Sequence, residues 1–443
     1  MDTSNGFAHK ECKKEYDIVI IGASLGGLAL AFALREAGFS ICVIDTVAAY
    51  DENVLTWGHD LQPNALLALD RMGIVEEVKQ AGAVHRYWYT DRVGGENLAR
   101  WDYSMLDHSH PYAVCIRAHV IRTLLREKAV ELDFLDIFIP AEFRGYRRNE
   151  GFQEVTIAID GEEHVVKTRL LVGADGPRSR VRNAAGIGVK VNRYSHGWID
   201  LIMARSNTEV TEGHVVFGRG EYLGIVPTRS EELVAFHLTP AKSLAEYKAL
   251  FGDDLGELRK QYARMAPILN NCIENVTSWN QMTWTPAIKG RADRWVADGV
   301  ALVGDSVISV NPITSEGACL ALEGGVRLAS VVKRCFQRGD FSAQSLLPYE
   351  AWSRPEAEAI QEIGDVTAWA FTTRNPILNF LKERMLRKID ANEKMKLRVF
   401  ASSCGLHWMS PAKLDWRDGL AAAGLWPQRG SSAPQPLSSS IHS

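Results

Sequence analysis

One segment near the N-terminus constrains the fold more than any other part of the chain. Residues 17–21 form a short apolar run, and a glycine-rich turn from Gly22 to Gly27 follows it directly. Apolar side chains then recur at helical spacing up to residue 37, and a second apolar run ends at Asp45. Continuous apolar runs are typical of strands buried on both faces, and a period of about 3.6 residues is typical of a helix. The segment therefore predicts a βαβ unit of an α/β fold.

The turn in this unit has the spacing of a dinucleotide-binding site. The sequence GASLGG over 22–27 matches GxGxxG, with Ser24 at the position of the second glycine. Glycines at both ends allow a tight turn and close packing, and the helix N-terminus offers free N–H groups to a pyrophosphate. Asp45 ends the second strand, where a carboxylate can accept hydrogen bonds from the adenosine ribose. We predict that Gly22, Ser24, Leu25, Gly27 and Asp45 contact a dinucleotide, although this turn alone does not distinguish FAD from NAD.

Composition and cysteine usage narrow the class of protein. The chain has 443 residues, of which 46% are hydrophobic and 23% charged, with a formal net charge of −4. These values predict two or three ordered domains and give no overall argument for binding nucleic acid. The seven cysteines are scattered without a CxxC pair, which favours reduced thiols in the cytoplasm and argues against a metal site. The uncharged run Ile18–Leu34 is interrupted by glycines, so we expect no integral membrane span.

Two further motifs stand later in the chain. They are GADGPRSRVR over 173–182 and GDS over 304–306, and the second is followed by Pro312 and by EGA at 316–318. Together with the first turn, in this order and spacing, they resemble the class A flavoprotein monooxygenases, the para-hydroxybenzoate hydroxylase-like family. The resemblance runs from about residue 15 to 345. It implies FAD as the cofactor and NAD(P)H as a co-substrate that the same domain admits transiently.

The resemblance also implies which residues contact the cofactor. Asp45 would hold the adenosine ribose, Arg117 the flavin side, and Asp305 the ribityl or pyrophosphate portion. A helix N-terminus at 317–318 would independently stabilise negative charge on the reduced flavin. The implied contacts beyond the first turn are Arg117, Asp175, Gly176, Gly304, Asp305, Pro312, Gly317 and Ala318.

The same resemblance, combined with the secondary-structure pattern, divides the chain into domains. We expect a Rossmann-like FAD-binding domain, an inserted substrate domain built on an antiparallel sheet, and a C-terminal helical segment. The predicted boundaries are 15–87, 111–190 and 285–345 for the FAD-binding domain, 88–110 and 191–284 for the substrate domain, 346–427 for the helical segment and 428–443 for a disordered tail.

The activity that the resemblance implies is oxygen transfer. NAD(P)H would reduce FAD, and the reduced flavin would react with O2 to give a C4a-hydroperoxide that hydroxylates or epoxidises a small lipophilic substrate, foremost an aromatic one. A general base would help with a phenolic substrate. The catalytic candidates are His59, which is expected beside the flavin, and His237 and Tyr222 in the antiparallel sheet. We expect a monomer or homodimer that acts on a small molecule and O2.

Some residues depart from the family pattern and keep alternatives open. Ile308 stands where a polar histidine is usual, and Glu316 replaces a common glutamine. Glu316 could lie close to the flavin with a raised pKa, or face solvent and cap the following helix. The loop at 310–317 also resembles that of geranylgeranyl reductases, so an FAD-dependent reductase of isoprenoid chains is the alternative function. A non-catalytic FAD protein that senses redox state is a third.

Overall fold

The computed structural model describes residues 11–50, 57–205, 210–229 and 231–406. The predicted tail at 428–443 and the end of the predicted helical segment lie outside these residues. The strands in chain order are β1 (Glu15–Ile21), β2 (Ile41–Ile44), β3 (Gly58–Leu61), β4 (Ala83–His85), β5 (Tyr87–Arg92), β6 (Asn97–Asp102), β7 (Ala113–Arg117), β8 (Leu135–Phe138), β9 (Ala141–Arg148), β10 (Gln153–Ile159), β11 (Glu162–Gly173), β12 (Val189–Ala204), β13 (Gly213–Phe217), β14 (Tyr222–Arg229), β15 (Glu232–Thr239), β16 (Met282–Ala292), β17 (Val296–Ala297), β18 (Val300–Leu302) and β19 (Ile308–Ser309). The α-helices are α1 (Leu25–Ala33), α2 (Pro63–Arg71), α3 (Val75–Ala81), α4 (Ala118–Val130), α5 (Arg180–Ala184), α6 (Leu244–Ala249), α7 (Leu255–Met265), α8 (Asn270–Ile273), α9 (Glu316–Arg338), α10 (Ala343–Thr372), α11 (Pro376–Asp390) and α12 (Glu393–Ser403).

The first sheet carries the predicted βαβ unit. Its order is β17-β18-β11-β1-β2-β8, and β18, β11, β1, β2 and β8 are parallel. The apolar run in β1 is buried from Ile18 to Ile21, as expected of a central strand covered on both faces. The helix α1 packs against α9, where a Cβ on Gly325 would overlap the carbonyl oxygen of Gly26. The two helices therefore approach more closely than any other residue at 325 would allow.

The strand β11 pairs with different neighbours along its length. Its C-terminal half pairs with β1 in the parallel sheet, and its N-terminal half pairs with β10 in an antiparallel hairpin that β9 extends. The hairpin turns at Asp160 and Gly161, whose φ angles are 50° and 85°. Left-handed conformations at both turn positions match the twist of a two-residue hairpin. Apolar and polar residues alternate over 134–170, a pattern that predicts antiparallel hairpins, and the pairing of β9, β10 and β11 confirms this prediction.

A second sheet of eight strands stands beside the first. Its order is β19-β16-β12-β15-β14-β13-β5-β6, and its pairs are antiparallel except for β13 with β5. Side chains on one face form a separate core with α6, α7 and α8. The strand β16 pairs along β12 on both sides of residue 284, so a continuous strand spans the predicted domain boundary there. A small third sheet has the order β3-β7-β4.

The helices after residue 342 bind the second sheet. The side-chain amide of Gln361 on α10 donates to the carbonyl oxygens of Gly290 and Ser309, and it accepts from Arg291. On α12, the Phe400 ring packs against Trp101. These contacts cover one side of the sheet with α10 and α12, which brings residues near position 400 to the strands formed by residues near 100.

Most of the predicted elements are present at the expected positions, and one differs. The sequence ADGVALVG over 297–304 is largely apolar, a pattern that predicts one buried strand, but the structure has the short antiparallel pair β17–β18 here. Gly299, with φ of 67°, makes the turn between them, a conformation that glycine adopts without strain. Within the residues described above, the structure contains no helix that is long and apolar enough to cross a membrane.

Candidate active site

The glycine-rich turn has a geometry that only glycine permits at its two ends. Gly22 has φ of 115°, and a Cβ there would overlap the carbonyl oxygen of Ala174. A Cβ on Gly27 would overlap the carbonyl oxygen of Gly22. The helix α1 begins directly after Ser24, whose side chain makes no capping hydrogen bond. The first N–H groups of α1 are therefore left for a ligand, which suits an anionic pyrophosphate.

Asp45 is fixed at the end of β2 by three contacts. Its Oδ2 accepts a hydrogen bond from the N–H of Ala23 at 2.9 Å and pairs with Nη2 of Arg126 at 3.0 Å, while its Oδ1 accepts from the N–H of Val47 at 2.9 Å. Arg126 also donates to the carbonyl oxygens of Ala23 and Val47. The carboxylate is thus held beside the turn, where the sequence predicts the adenosine ribose.

The helix α4 supplies two arginines that the sequence analysis missed. Arg117, which the sequence analysis did name, precedes α4 and pairs with Glu232 Oε2 at 3.0 Å. The two missed arginines are on the helix itself. Arg122 and Arg126 lie one turn apart on the next part of the helix, and both guanidinium groups lie over the ring of Tyr50. Burial lowers the pKa of Arg122, and the neighbouring Tyr50 opposes this change. The i, i+4 spacing of the two arginines was the available signal, because such residues share one helix face.

His59 and Asp305 both lie near Arg122, whose positive charge acts on each of them. Asp305 is accessible to solvent at one side. Desolvation by the surrounding protein raises its pKa to about 6, and the positive charge of Arg122 opposes this rise in part. Burial, reinforced by the same charge, lowers the pKa of His59 to about 3, and its Nε2 has no hydrogen-bond partner among the described residues. We call this region the cofactor cleft: residues 22–27, Asp45, His59, Arg122 and Asp305.

The carboxylate of Asp175 makes hydrogen bonds within its own turn. It accepts hydrogen bonds from the Ser179 hydroxyl and from the N–H groups of Arg180 and Val181. These contacts support the start of α5, and Gly176 beside it has φ of 78°. The structure therefore gives Asp175 a local structural role next to the glycine-rich turn.

The loop after Gly304 ends at the N-terminus of a helix. Gly304 has φ of 67°. Further on, Pro312 is exposed and Ser315 is left-handed, with φ of 57°. The helix α9 begins at Glu316, whose N–H donates to Oγ1 of Thr314 at 3.4 Å, whereas the side chain of Ser315 makes no capping hydrogen bond. Residues 317–318 follow in the first turn. Its N-terminal dipole is available to negative charge at this loop.

A cavity of about 160 Å³ adjoins the same loop. It lies among the second sheet, the 313–315 loop and the end of α12. Its lining residues are Gln62, Trp88, Thr90, Trp101, Val215, Tyr222, Ile313, Thr314, Ser315, Phe400, Ser403 and Cys404. The strands and α12 come from distant parts of the sequence, and the fold brings them together at the N-terminus of α9.

The three catalytic candidates occupy three different environments. Tyr222 lines the cavity, with the rings of Trp198 and Phe371 edge-on at 5.5 and 5.9 Å. His59 lies in the cofactor cleft. His237 is buried against the helical core, where its Nδ1 and the Tyr247 hydroxyl are 2.7 Å apart and burial lowers its pKa to about 4. Only Tyr222 of the three is in the cavity wall, and the contacts of His237 are those of a structural residue.

Glu316 is enclosed by protein. The residue is 1% exposed, and its Oε2 accepts a hydrogen bond from the Asn64 side-chain amide at 3.1 Å. Burial raises its pKa well above the ordinary value, and the Asn64 hydrogen bond opposes this only in part. The interpretation of Glu316 as a solvent-facing cap is therefore wrong.

Comparison with known proteins identifies the class of this fold and site. The model of the FAD binding domain family matches residues 15–363. The chain belongs to this family and is a class A FAD-dependent monooxygenase, a flavoprotein oxidoreductase.

Its relatives and structural neighbours cover most of the chain. It is 24% identical to 6-hydroxynicotinate 3-monooxygenase of Bordetella bronchiseptica, over 81% of this chain and 93% of the relative. It is 27% identical to the ubiquinone hydroxylase UbiL of Rhodospirillum rubrum, over 81% and 82%. The crystal structure of PqsL of Pseudomonas aeruginosa with 2-aminobenzoylacetate has a TM-score of 0.73 at 23% identity, and the match covers 83% of this chain and all of PqsL.

Proposed function

We propose that this monooxygenase uses NAD(P)H and O2 to hydroxylate a small aromatic substrate bound in the cavity described above. The cavity itself carries this proposal, because aromatic rings form much of its wall and it adjoins the loop expected beside the flavin. Its volume of about 160 Å³ is close to that of an engineered cavity of about 150 Å³ that binds benzene. A single substituted ring therefore fits the space.

The cofactor cleft fits FAD on observations of this chain alone. Side chains are excluded at Gly22 and Gly27 by the surrounding backbone, which leaves room for a close approach of phosphate groups. The cleft also contains the guanidinium of Arg122 and an uncapped helix start. When bound, FAD would supply the hydride and oxygen chemistry. Asp45 would hold the ribose, and the N-terminus of α9 would stabilise negative charge at the ring.

The residues around the cavity would exclude water and orient the substrate ring. Trp88, Trp101 and Phe400 form apolar walls on the side of the second sheet and α12. A dry site favours oxygen transfer over release of hydrogen peroxide. Burial raises the pKa of Tyr222, so its hydroxyl stays protonated at neutral pH and can donate a hydrogen bond. We assign Tyr222 to substrate orientation and His59 to the cofactor.

The names of the relatives support an aromatic substrate. They include a 3-hydroxybenzoate 6-hydroxylase of Klebsiella oxytoca, 25% identical over 77% of this chain and 85% of the relative. The relatives described here are named for monooxygenation or hydroxylation, which favours oxygen transfer over the reduction of isoprenoid chains.

The test is an oxygen-labelling experiment on the FAD-loaded protein. Purified protein would be screened with substituted phenols and anilines, with NADH and NADPH in parallel, under 18O2. We expect one compound to accelerate NAD(P)H oxidation and to gain one labelled oxygen atom, and anaerobic samples to give no product. Oxygen-independent saturation of a prenyl alkene, without label in any aromatic product, would establish the reductase function instead.

A further inference from the structure

A chain of buried polar side chains ends at the cavity. The indole Nε1 of Trp88 donates to the Tyr103 hydroxyl at 3.1 Å, and that hydroxyl donates to Oε1 of Gln62 at 2.7 Å. Gln62 in turn donates from Nε2 to Oδ2 of Asp60. Tyr103 and Asp60 are 0% and 3% exposed, and Gln62 is 5% exposed. Gln62 and Trp88 also line the cavity, so the chain connects the cavity wall to the interior.

The chemistry of these groups fixes the direction of every hydrogen bond. An indole N–H can only donate, so the Tyr103 oxygen must accept from Trp88. The Tyr103 hydrogen is then directed to Gln62. A carboxylate can only accept, so the amide nitrogen of Gln62 must be the end that faces Asp60. The orientation of the Gln62 amide is therefore determined at both ends by its partners.

A buried histidine holds Asp60 in place. The Nε2 of His85 lies 2.6 Å from Oδ1 of Asp60, and its Nδ1 lies 3.3 Å from the carbonyl oxygen of Tyr87. Burial lowers the pKa of His85, but the Asp60 charge and hydrogen bond outweigh this and raise the pKa overall. The contacts of both ring nitrogens hold the His85 ring, and with it the Asp60 carboxyl group, in one position.

Gln62 keeps hydrogen-bonding capacity after these contacts. A glutamine amide has two N–H groups and two acceptor positions on its oxygen. One N–H is used by Asp60 and one acceptor position by Tyr103, which leaves one of each. The residue stands in the cavity wall together with Thr314 and Ser315 of the loop that precedes α9.

We propose that the side-chain amide of Gln62 is the subsite that binds the oxygen substituent of the substrate, an uncharged phenol hydroxyl or ring carbonyl. This inference rests on the proposed function, because it concerns the substrate of the same cavity. A free N–H beside a free acceptor complements a hydroxyl group, which both accepts and donates. Because the amide is locked by Asp60 and Tyr103, it selects the position of the substituent and so determines which ring edge faces the cofactor.

The same geometry selects against an anionic substituent. A carboxylate at Gln62 would find one N–H, and the carboxylate of Asp60 lies directly behind the amide. His85 is already occupied by Asp60 and Tyr87, and so it does not serve as a separate partner. Burial of a charge without a partner is costly, and hence a neutral ring is favoured.

The experiment measures ligand binding to the FAD-loaded protein without turnover. Trp88 and Trp101 line the cavity, so their fluorescence reports occupancy. The probes are 4-methylphenol, toluene and 4-methylbenzoate, which share a methyl-substituted ring and differ in the group offered to Gln62. We expect 4-methylphenol to bind at least tenfold more tightly than either of the other two. Equal affinity for toluene and 4-methylphenol, no measurable binding of 4-methylphenol, or tighter binding of 4-methylbenzoate would overturn the proposal.

Two variants assign the preference to Gln62. In Gln62→Leu the ratio of the 4-methylphenol and toluene affinities should fall to about one. The same substitution at an exposed position of α3, Gln80→Leu, should keep the ratio. A ratio unchanged in Gln62→Leu would refute the assignment. If Gln62→Leu does not fold, the absence of wild-type selectivity for 4-methylphenol would still refute the proposal. Because no turnover is required, a failed oxygen-labelling experiment and a failed Gln62 subsite give different results.

Discussion

The buried carboxyl of Glu316 makes the stability of the fold depend on pH in a defined direction. Burial raises its native pKa well above the ordinary value of 4.5. Between 4.5 and the native pKa, the folded protein keeps a proton that the unfolded chain releases. Stability is therefore complete below the unfolded pKa and is lost as the pH rises toward the native pKa, by about 1.4 kcal/mol for each pH unit.

Replacement of Glu316 by glutamine removes this dependence with little change of shape. The glutamine oxygen can still accept from the Asn64 amide, which is 3.1 Å from Oε2 in the wild type. We expect Glu316→Gln and the wild type to have similar stability near pH 4.5. Above pH 4.5 the variant should gain on the wild type by about 1.4 kcal/mol for each pH unit, until the native pKa of Glu316 is reached.

Urea unfolding at pH 4.5, 5.5, 6.5 and 7.5, with FAD in fixed excess, measures the difference. Glu36→Gln is the matched control, because the Glu36 side chain is 83% exposed and its replacement should give no comparable trend. A stability difference between Glu316→Gln and the wild type that does not change over this range would refute the assignment of a buried, protonated Glu316.

Three further changes test the cofactor cleft and the cavity. Arg122→Met should weaken FAD binding about 10- to 100-fold, because hydrogen bonds to charged groups contribute about 1.5–3 kcal/mol. Titration of the apoprotein with FAD measures this affinity. The control, Lys260→Met on the exposed face of α7, should leave the affinity unchanged. Gly27→Ala forces a Cβ against the Gly22 carbonyl. The variant should therefore lose about 1–3 kcal/mol of stability and retain less FAD on gel filtration. Full FAD retention with an unchanged melting temperature would contradict this. Phe400→Ala opens the cavity wall, so a larger share of NAD(P)H oxidation should end as hydrogen peroxide in a peroxidase-coupled assay; an unchanged share would show that the ring does not exclude water.

Local geometry explains which parts of the site could be predicted from the sequence. The close packing at Gly22 and Gly27 is a property of one strand–turn–helix segment, and Asp45 follows from the length of the next strand. The burial of Glu316 could not be predicted in this way. It depends on Asn64, which is distant in sequence and meets Glu316 because α2 packs against α9.

The lining of the cavity could not be predicted from the sequence either. Gln62 and Phe400 line it from opposite ends of the sequence, and no periodic pattern relates them. Alternation along β14 and β15 places Tyr222 and His237 on strands but does not say which face meets the cavity. The structure places Tyr222 in the wall and His237 beside Tyr247, because the helices α6 and α7 cover the other face of the sheet.

The contact between α1 and α9 has a mechanical consequence. Gly325 on α9 touches the glycine-rich turn region through Gly26, and the N-terminus of the same helix lies at the loop that borders the cavity. Nine residues of continuous helix separate these two points, a distance of about 14 Å. The helix therefore sets the distance between the glycine-rich turn and the loop that borders the cavity. Under the proposed binding of FAD, a shift of α9 along α1 would move the flavin site relative to the part of the cavity wall that the second sheet forms.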